Sequence, residues 1–110
     1  MDTMKIDENR VPLKDMPWES PAQGVRHKAY TKKGMRLHLV EFSDVFKEES
    51  WCTKGHVGYV LEGELSIDYD GRIVRYLPGD GIFIEEGEEN RHKAIIPKGK
   101  KALFILVEKA

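Results

Sequence analysis

Two short stretches near the middle of the chain carry most of the information about its fold. Residues 55–65 read GHVGYVLEGEL, and residues 77–84 read LPGDGIFI. In both, short apolar runs alternate with glycine, proline and acidic residues, which is the pattern of strands joined by tight turns. The stretch from Trp51 to Lys93 therefore predicts a series of consecutive β-strands.

Strand-like runs continue on both sides of this stretch. Residues 25–30 and 35–42 flank the turn sequence TKKG, and residues 65–69 and 72–76 flank Asp70-Gly71. Asp-Gly fits a type I′ hairpin turn, which needs positive φ at both central residues. With the runs at 92–96 and 102–107, the chain has about eight short strands with turn signals every 8–12 residues, so we predict an all-β sandwich or barrel.

Length and composition limit the classes of protein to consider. The chain has 110 residues and a formal net charge of -1, with 18 basic and 19 acidic side chains interspersed. Nucleic-acid binding is not expected, because no basic field is present to attract a phosphate backbone. Membrane insertion is not expected either, since the longest apolar run, residues 102–107, is far too short. A single cysteine, Cys52, excludes an internal disulfide and predicts a reducing, cytoplasmic location.

The first 22 residues differ from the rest of the chain. They are polar and contain three prolines, Pro12, Pro17 and Pro21, so residues 1–22 are predicted to form an irregular arm and residues 23–110 a single barrel domain. Trp18 is the one large aromatic residue in this arm. We expect it to cap the core of its own domain, and the alternative is a subunit contact.

The two central stretches resemble those of the cupin superfamily. The resemblance covers roughly residues 34–107 and rests on YVLEGE at 59–64 and PGDGIFI at 78–84, with Gly87 three residues further on. It implies an all-β, cupin-type double-stranded β-helix, which is a jelly-roll barrel. In members of this family, three histidines and one glutamate hold a metal ion inside the barrel.

The metal motif of the family is degenerate in this sequence. Aligned on Gly63, the two histidine positions of the first motif fall on Ser50 and Cys52, and the glutamate position falls on His56. In the second motif Asn90 stands where the last histidine is expected, and His92 follows two residues later. The resemblance therefore implies that the intact three-histidine, one-glutamate site is absent.

These residues lead to a first interpretation in which the barrel binds a small molecule without a metal. Barrels offer concave apolar cavities with a few converging polar groups. The candidate ligand-binding residues are His56, Asn90, His92, Cys52 and Tyr59, and the candidate walls are Val60, Phe83, Ile84 and Phe104.

A second interpretation is a metal-dependent enzyme of the isomerase, oxygenase or lyase type found in the superfamily. His56, His92 and Cys52 would bind the metal, with His38 as a further ligand from a neighbouring strand. Imidazole and thiolate suit Zn or another divalent transition metal, and Ni, Mn and Fe are the other candidates.

Three further expectations remain. The barrel could instead be filled by side chains, in a structural or interaction module. A nucleophilic Cys52 beside His56 is disfavoured, because an extended chain would hold the two residues well apart. A homodimer is expected, in which an N-terminal strand or Trp18 covers a sheet edge of the partner.

Overall fold

Nine strands and two short 3-10 turns form the part of the protein that the computed structural model describes, residues 9–110. The 3-10 turns are Leu13–Asp15 and Glu88–Asn90. The strands are β1 (Glu19–Ala22), β2 (Val25–Lys32), β3 (Met35–Ser43), β4 (His56–Gly63), β5 (Leu65–Asp68), β6 (Ile73–Tyr76), β7 (Gly81–Ile84), β8 (Lys93–Ile95) and β9 (Lys101–Lys109).

The strands form two antiparallel sheets. The large sheet has six strands in the order β1-β2-β3-β9-β4-β7, and the small sheet has three in the order β6-β5-β8. The chain therefore crosses repeatedly from one sheet to the other, as a jelly roll requires. The all-β prediction is confirmed.

Turn chemistry explains where two of the hairpins lie. Asp70 and Gly71 both have positive φ, 59° and 107°, between β5 and β6. Lys33 and Gly34 do the same between β2 and β3, with φ of 49° and 79°. Both hairpins predicted from the sequence are thus present, with a residue that tolerates the left-handed region at each final position.

Alternation along the strands decides which side chains enter the space between the sheets. On β7, Ile82 and Ile84 are 3% and 5% exposed, whereas Phe83 is 77% exposed. The inward residues of both sheets meet in one apolar core, which consists of Val40, Val60, Leu65, Ile67, Ile82, Ile84, Ile96, Ala102 and Phe104.

The N-terminal arm is partly ordered into regular structure. Residues 1–8 of the predicted irregular arm lie outside the described residues, and Glu19–Ala22 forms strand β1, which pairs with β2. The ring of Trp18 packs against two side chains of β2. The Arg26 guanidinium lies 4.2 Å from the ring centroid and the Lys28 ammonium lies 4.9 Å from it. Lys28 also donates a hydrogen bond to the Leu13 carbonyl at 2.8 Å. Trp18 thus packs on the outside of β2.

Within residues 9–110, no helix is long and apolar enough to cross a membrane.

Candidate metal centre and cavity

A cavity of about 310 Å³ lies between the two sheets. Its apolar walls include Val40, Phe42, Leu65, Ile67, Ile84 and Phe104. Its polar groups include Cys52, His56, His92, His27, His38 and Glu108. An apolar cavity with a few converging polar side chains is the usual form of a small-molecule site.

Cys52, His56 and His92 come together at this cavity. One ligand atom from each, the thiol sulphur and a nitrogen of each imidazole, lies within 4.8 Å of the others. The closest measured pair is Cys52 Sγ and His56 Nε2, at 3.6 Å. The two imidazole rings meet edge to face, with centroids 5.2 Å apart. The three residues that the sequence singled out as a metal set therefore form one cluster.

Backbone pairing positions two members of the cluster. The Cys52 amide donates to the His92 carbonyl at 2.9 Å, and the His92 amide donates to the Cys52 carbonyl at 3.0 Å. This isolated antiparallel bridge joins the segment before β4 to the segment before β8. His56 is the first residue of β4, and the sheet directs its side chain inward.

Each imidazole of the cluster has a second contact that fixes its orientation. Nδ1 of His92 lies 3.0 Å from the backbone carbonyl oxygen of Asn90. Nδ1 of His56 lies 2.9 Å from Oε2 of Glu108, although without the alignment of a regular hydrogen bond. Metal-binding histidines typically have their second ring nitrogen held by a carboxylate or a backbone carbonyl, which leaves the first nitrogen free for the metal.

Glu108 is a central residue that the sequence analysis missed. It is only 7% exposed, and its carboxylate lies between His56 and His38, with Oε1 3.5 Å from His38 Nδ1. His38 in turn contacts His27, with 2.6 Å between His38 Nε2 and His27 Nδ1. The sequence does carry a signal for Glu108. Every second residue of β9 from Ala102 faces inward, and this alternation, Ala102, Phe104, Leu106 and Glu108, continues almost to the end of the strand.

These contacts shift the protonation equilibria of the cluster. Contacts with His56 and then His92 lower the pKa of Cys52 from 9.0 to about 6. Burial alone would lower the pKa of His56, but its contacts with Cys52 and Glu108 outweigh burial and raise it to about 9. His38, followed by His56, holds the pKa of Glu108 well below its usual range. The cluster therefore favours a thiolate, which is the form of cysteine that binds metals.

Other residues predicted for the site lie elsewhere. Tyr59 is 48% exposed on the outer face of the large sheet, because it is three residues from inward-facing His56 on the same strand. Phe83 also points outward. Asn90 is the last residue of a 3-10 turn, so the rule that every second side chain of a strand faces the same way does not apply to Asn90 and His92. Asn90 contacts the cluster through its backbone carbonyl and not through its side chain.

The expected separation of Cys52 and His56 is wrong. Residues 53–55 do not form a strand, so the chain curls and brings the thiol within 3.6 Å of the imidazole. The side chains of Cys52, His56 and Glu108 therefore form a row in space, in which His56 contacts both of the others.

Comparison with known proteins identifies the fold. No protein-family profile matches the chain, and no curated protein sequence matches it. Solved structures do match. The EutQ protein of Clostridium difficile is 25% identical, with a TM-score of 0.64 over 77% of this chain and 67% of that one. An RmlC-like cupin from Shewanella frigidimarina is 19% identical, with a TM-score of 0.71 over 94% and 91%.

A cupin-2 domain protein, also from Shewanella frigidimarina, is 18% identical, with a TM-score of 0.61 over 76% of this chain and 79% of that one. The chain has the fold of a small cupin, as its sequence predicted.

Proposed function

We propose that the protein binds a small molecule inside the barrel at a divalent transition-metal centre held by Cys52, His56 and His92. One observation carries the proposal: the three donor atoms lie within 4.8 Å of one another at the wall of an apolar cavity. The metal-dependent alternative fits this arrangement better than metal-free binding, because three metal-binding side chains converge on one point.

The distances in the cluster suit a metal ion. Ligand atoms bound tetrahedrally at about 2.1–2.3 Å lie about 3.5 Å from one another. The distance of 3.6 Å between Cys52 Sγ and His56 Nε2 has this value. The other pairs of donor atoms lie no more than 4.8 Å apart, so rotation of the side chains can bring all three around one ion.

The donor set favours a borderline or soft metal. One thiolate and two imidazoles suit Zn(II) best among the common ions, and they suit Fe(II) and Ni(II) better than Mn(II). Three protein ligands leave a coordination position for water or substrate, and a metal so placed supplies Lewis acidity. The apolar walls would bind the organic part of the ligand, and a cavity of about 310 Å³ limits it to a small molecule.

The first experiment measures metal content in protein purified without a histidine tag. We expect close to one equivalent of metal per chain, and its loss in Cys52→Ser, His56→Ala and His92→Ala. His27→Ala is the matched control, since His27 lines the same cavity outside the donor cluster. Circular dichroism checks that every variant is folded.

Absence of metal from the parent protein, even after incubation with Zn(II), Ni(II), Mn(II) and Fe(II), would overturn the proposal. Metal-free binding of a small molecule would then be the function to test.

A second candidate function is nucleophilic catalysis by Cys52. His56 lies between the Cys52 thiol and the Glu108 carboxylate at 3.6 and 2.9 Å, which is the order of nucleophile, base and orienting acid. The Cys52 thiolate would attack an activated ester and form a thioester as the alcohol leaves, and water would then hydrolyse the thioester. A burst of one equivalent of nitrophenol from nitrophenyl acetate, absent in Cys52→Ser, tests this function in metal-free protein.

A further inference from the structure

A row of four polar side chains crosses the inner face of the large sheet. His27 lies on β2, His38 on β3, Glu108 on β9 and His56 on β4, and these strands are neighbours in that order. All four side chains line the cavity between the sheets. The row therefore begins three strands away from the proposed metal site and ends at one of its donors.

Each member of the row contacts the next through a ring nitrogen or a carboxylate oxygen. Nδ1 of His27 lies 2.6 Å from Nε2 of His38, and Nδ1 of His38 lies 3.5 Å from Oε1 of Glu108. The other carboxylate oxygen, Oε2, faces Nδ1 of His56 at 2.9 Å. His38, considered above as a further metal ligand, is thus separated from His56 by the Glu108 carboxylate.

The positions beside the row on the same face are apolar. Val40 is the next inward residue of β3 after His38, and Leu106 is the inward residue of β9 before Glu108. The side chain of His38 is only 15% exposed. Because a buried polar side chain costs free energy unless its polar atoms are paired, the contacts within the row, and not packing alone, account for a histidine at this position.

Glu108 decides which nitrogen of each neighbouring imidazole carries a proton. An ionised carboxylate only accepts hydrogen bonds, so a nitrogen that faces it has to donate. Nδ1 of His38 and Nδ1 of His56 are both buried, and among residues 9–110 neither has a partner in a regular hydrogen bond. The Glu108 carboxylate is therefore the acceptor placed for both nitrogens.

The position of these protons leaves Nε2 of each ring free to accept. A neutral imidazole carries one proton, and the contact made by one nitrogen fixes the role of the other. In His56 the free nitrogen is the one that lies toward Cys52, and in His38 it is the one that faces His27. A metal-binding histidine needs this same arrangement, with one nitrogen held and the other open.

We propose that His38 is a positioning residue of the metal centre, which acts through Glu108 to hold His56 with Nε2 turned toward the metal. The inference rests on the metal-binding function proposed above. His38 contacts Oε1 of Glu108 and so leaves Oε2 for His56. It thereby affects the site without contacting the metal or the bound molecule.

Arg36 is the rival group for the same carboxylate oxygen. Its Nη1 lies 3.6 Å from Oε1 of Glu108, but its side chain is 34% exposed. Water and salt screen exposed charges much more than buried ones. The more buried His38 is therefore assigned the main part in positioning the carboxylate.

The metal affinity of three variants at position 38 tests the proposal, with Co(II) as the probe and a chromogenic chelator as the competitor. His38→Leu removes both ring nitrogens and should weaken binding about 3–10-fold, less than the roughly 10–100-fold expected when a direct partner of a metal ligand is lost. Asparagine carries an N–H group close to the position of Nδ1, so His38→Asn should bind within about twofold of wild type. Glutamine places its amide near Nε2 instead, so His38→Gln should resemble His38→Leu.

The visible absorption of the Co(II) protein gives a second readout, because it depends on the coordination geometry. His38→Leu should change the bands, since the His56 ring is then free to turn, and His38→Asn should not. His27→Ala is the matched control, because it removes the partner of Nε2 and leaves the contact of His38 with Glu108 in place. Circular dichroism checks that every variant is folded.

The outcomes separate this inference from the proposed function. Equal Co(II) affinity and equal spectra in wild type and His38→Leu would overturn the inference alone. So would a loss in His38→Asn or His27→Ala as large as that in His38→Leu, or a loss confined to Arg36→Gln. A wild-type protein that binds no metal would overturn the proposed function and this inference with it.

Discussion

Oε2 of Glu108 lies 2.9 Å from Nδ1 of His56, while Nε2 on the other side of the same ring lies 3.6 Å from the thiol of Cys52. A carboxylate near the end of the last strand therefore orients an imidazole at the start of β4. At the proposed metal site, removal of this carboxylate should weaken metal binding, although Glu108 is not one of the three clustered donors.

Glu108→Gln should weaken metal binding about 10–100-fold, the usual effect of losing a group that orients a metal ligand. Glutamine has nearly the same size but lacks the charge that holds the His56 ring. Competition with a chromogenic chelator measures the affinity. Glu62→Gln, an exposed position on β4, is the control and should leave the affinity unchanged. Equal affinities in Glu108→Gln and wild type would contradict this prediction.

The Cys52 thiol should ionise at unusually low pH in metal-free protein. Its pKa is lowered from 9.0 to about 6, first by the contact with His56. A lowered thiol pKa favours the thiolate, so we expect most of Cys52 to be ionised at pH 7. The ultraviolet absorbance of the thiolate should therefore rise with a midpoint near pH 6, and His56→Ala should move the midpoint upward. A wild-type midpoint near pH 9 would refute the prediction of a lowered thiol pKa.

Gly58→Ala should destabilise the barrel. A β-carbon at Gly58 would overlap the carbonyl oxygen of Ile105 and lie 2.7 Å from a methyl group of Leu106. Strands β4 and β9 would have to separate beside the contact of His56 with Glu108, so we expect a loss of about 1–3 kcal/mol or more. Urea unfolding gives the free energy.

Gly81→Ala is the control for this substitution, because the nearest atom to its β-carbon is 3.8 Å away. We expect a change within about 0.5 kcal/mol. Similar losses in the two variants would show that close approach of the strands is not the reason for glycine at position 58.

Leu65→Ala should cost about 2–5 kcal/mol of unfolding free energy, as large-to-small substitutions in cores do. Leu65 is 1% exposed and packs in the core between the two sheets. Leu77→Ala removes the same atoms at a position that is 40% exposed, and should cost about 1 kcal/mol or less. Thermal or urea unfolding compares the two, and equal losses would contradict the assignment of Leu65 to the core.

The fold could be predicted from sequence because its turns are specified locally. Asp70-Gly71 and Lys33-Gly34 occupy the positive-φ positions that their hairpins need, and such residues can be read directly from the chain. The strand β1 was not foreseen, since Glu19–Ala22 is polar, contains a proline and is exposed throughout. Its pairing with β2 depends on the rest of the sheet and not on local propensity.

The cluster could be predicted only in part. Cys52, His56 and His92 stood out because few residue types bind metals. Glu108 did not, since its alternation with Ala102, Phe104 and Leu106 indicates burial only once the inner face of β9 is known. Tyr59 and Phe83 were expected inside the barrel, but both faces of the large sheet are apolar, and alternation alone does not show which face is inner.

The paired backbone hydrogen bonds between Cys52 and His92 have one more consequence. They tie together two segments 40 residues apart in the sequence, and they do so through main-chain atoms alone. A zinc finger uses its ion to fold, whereas an ion at the proposed metal site would bind between segments that the backbone already holds together. We therefore expect a chelator to remove a metal ion from the proposed site without unfolding the barrel.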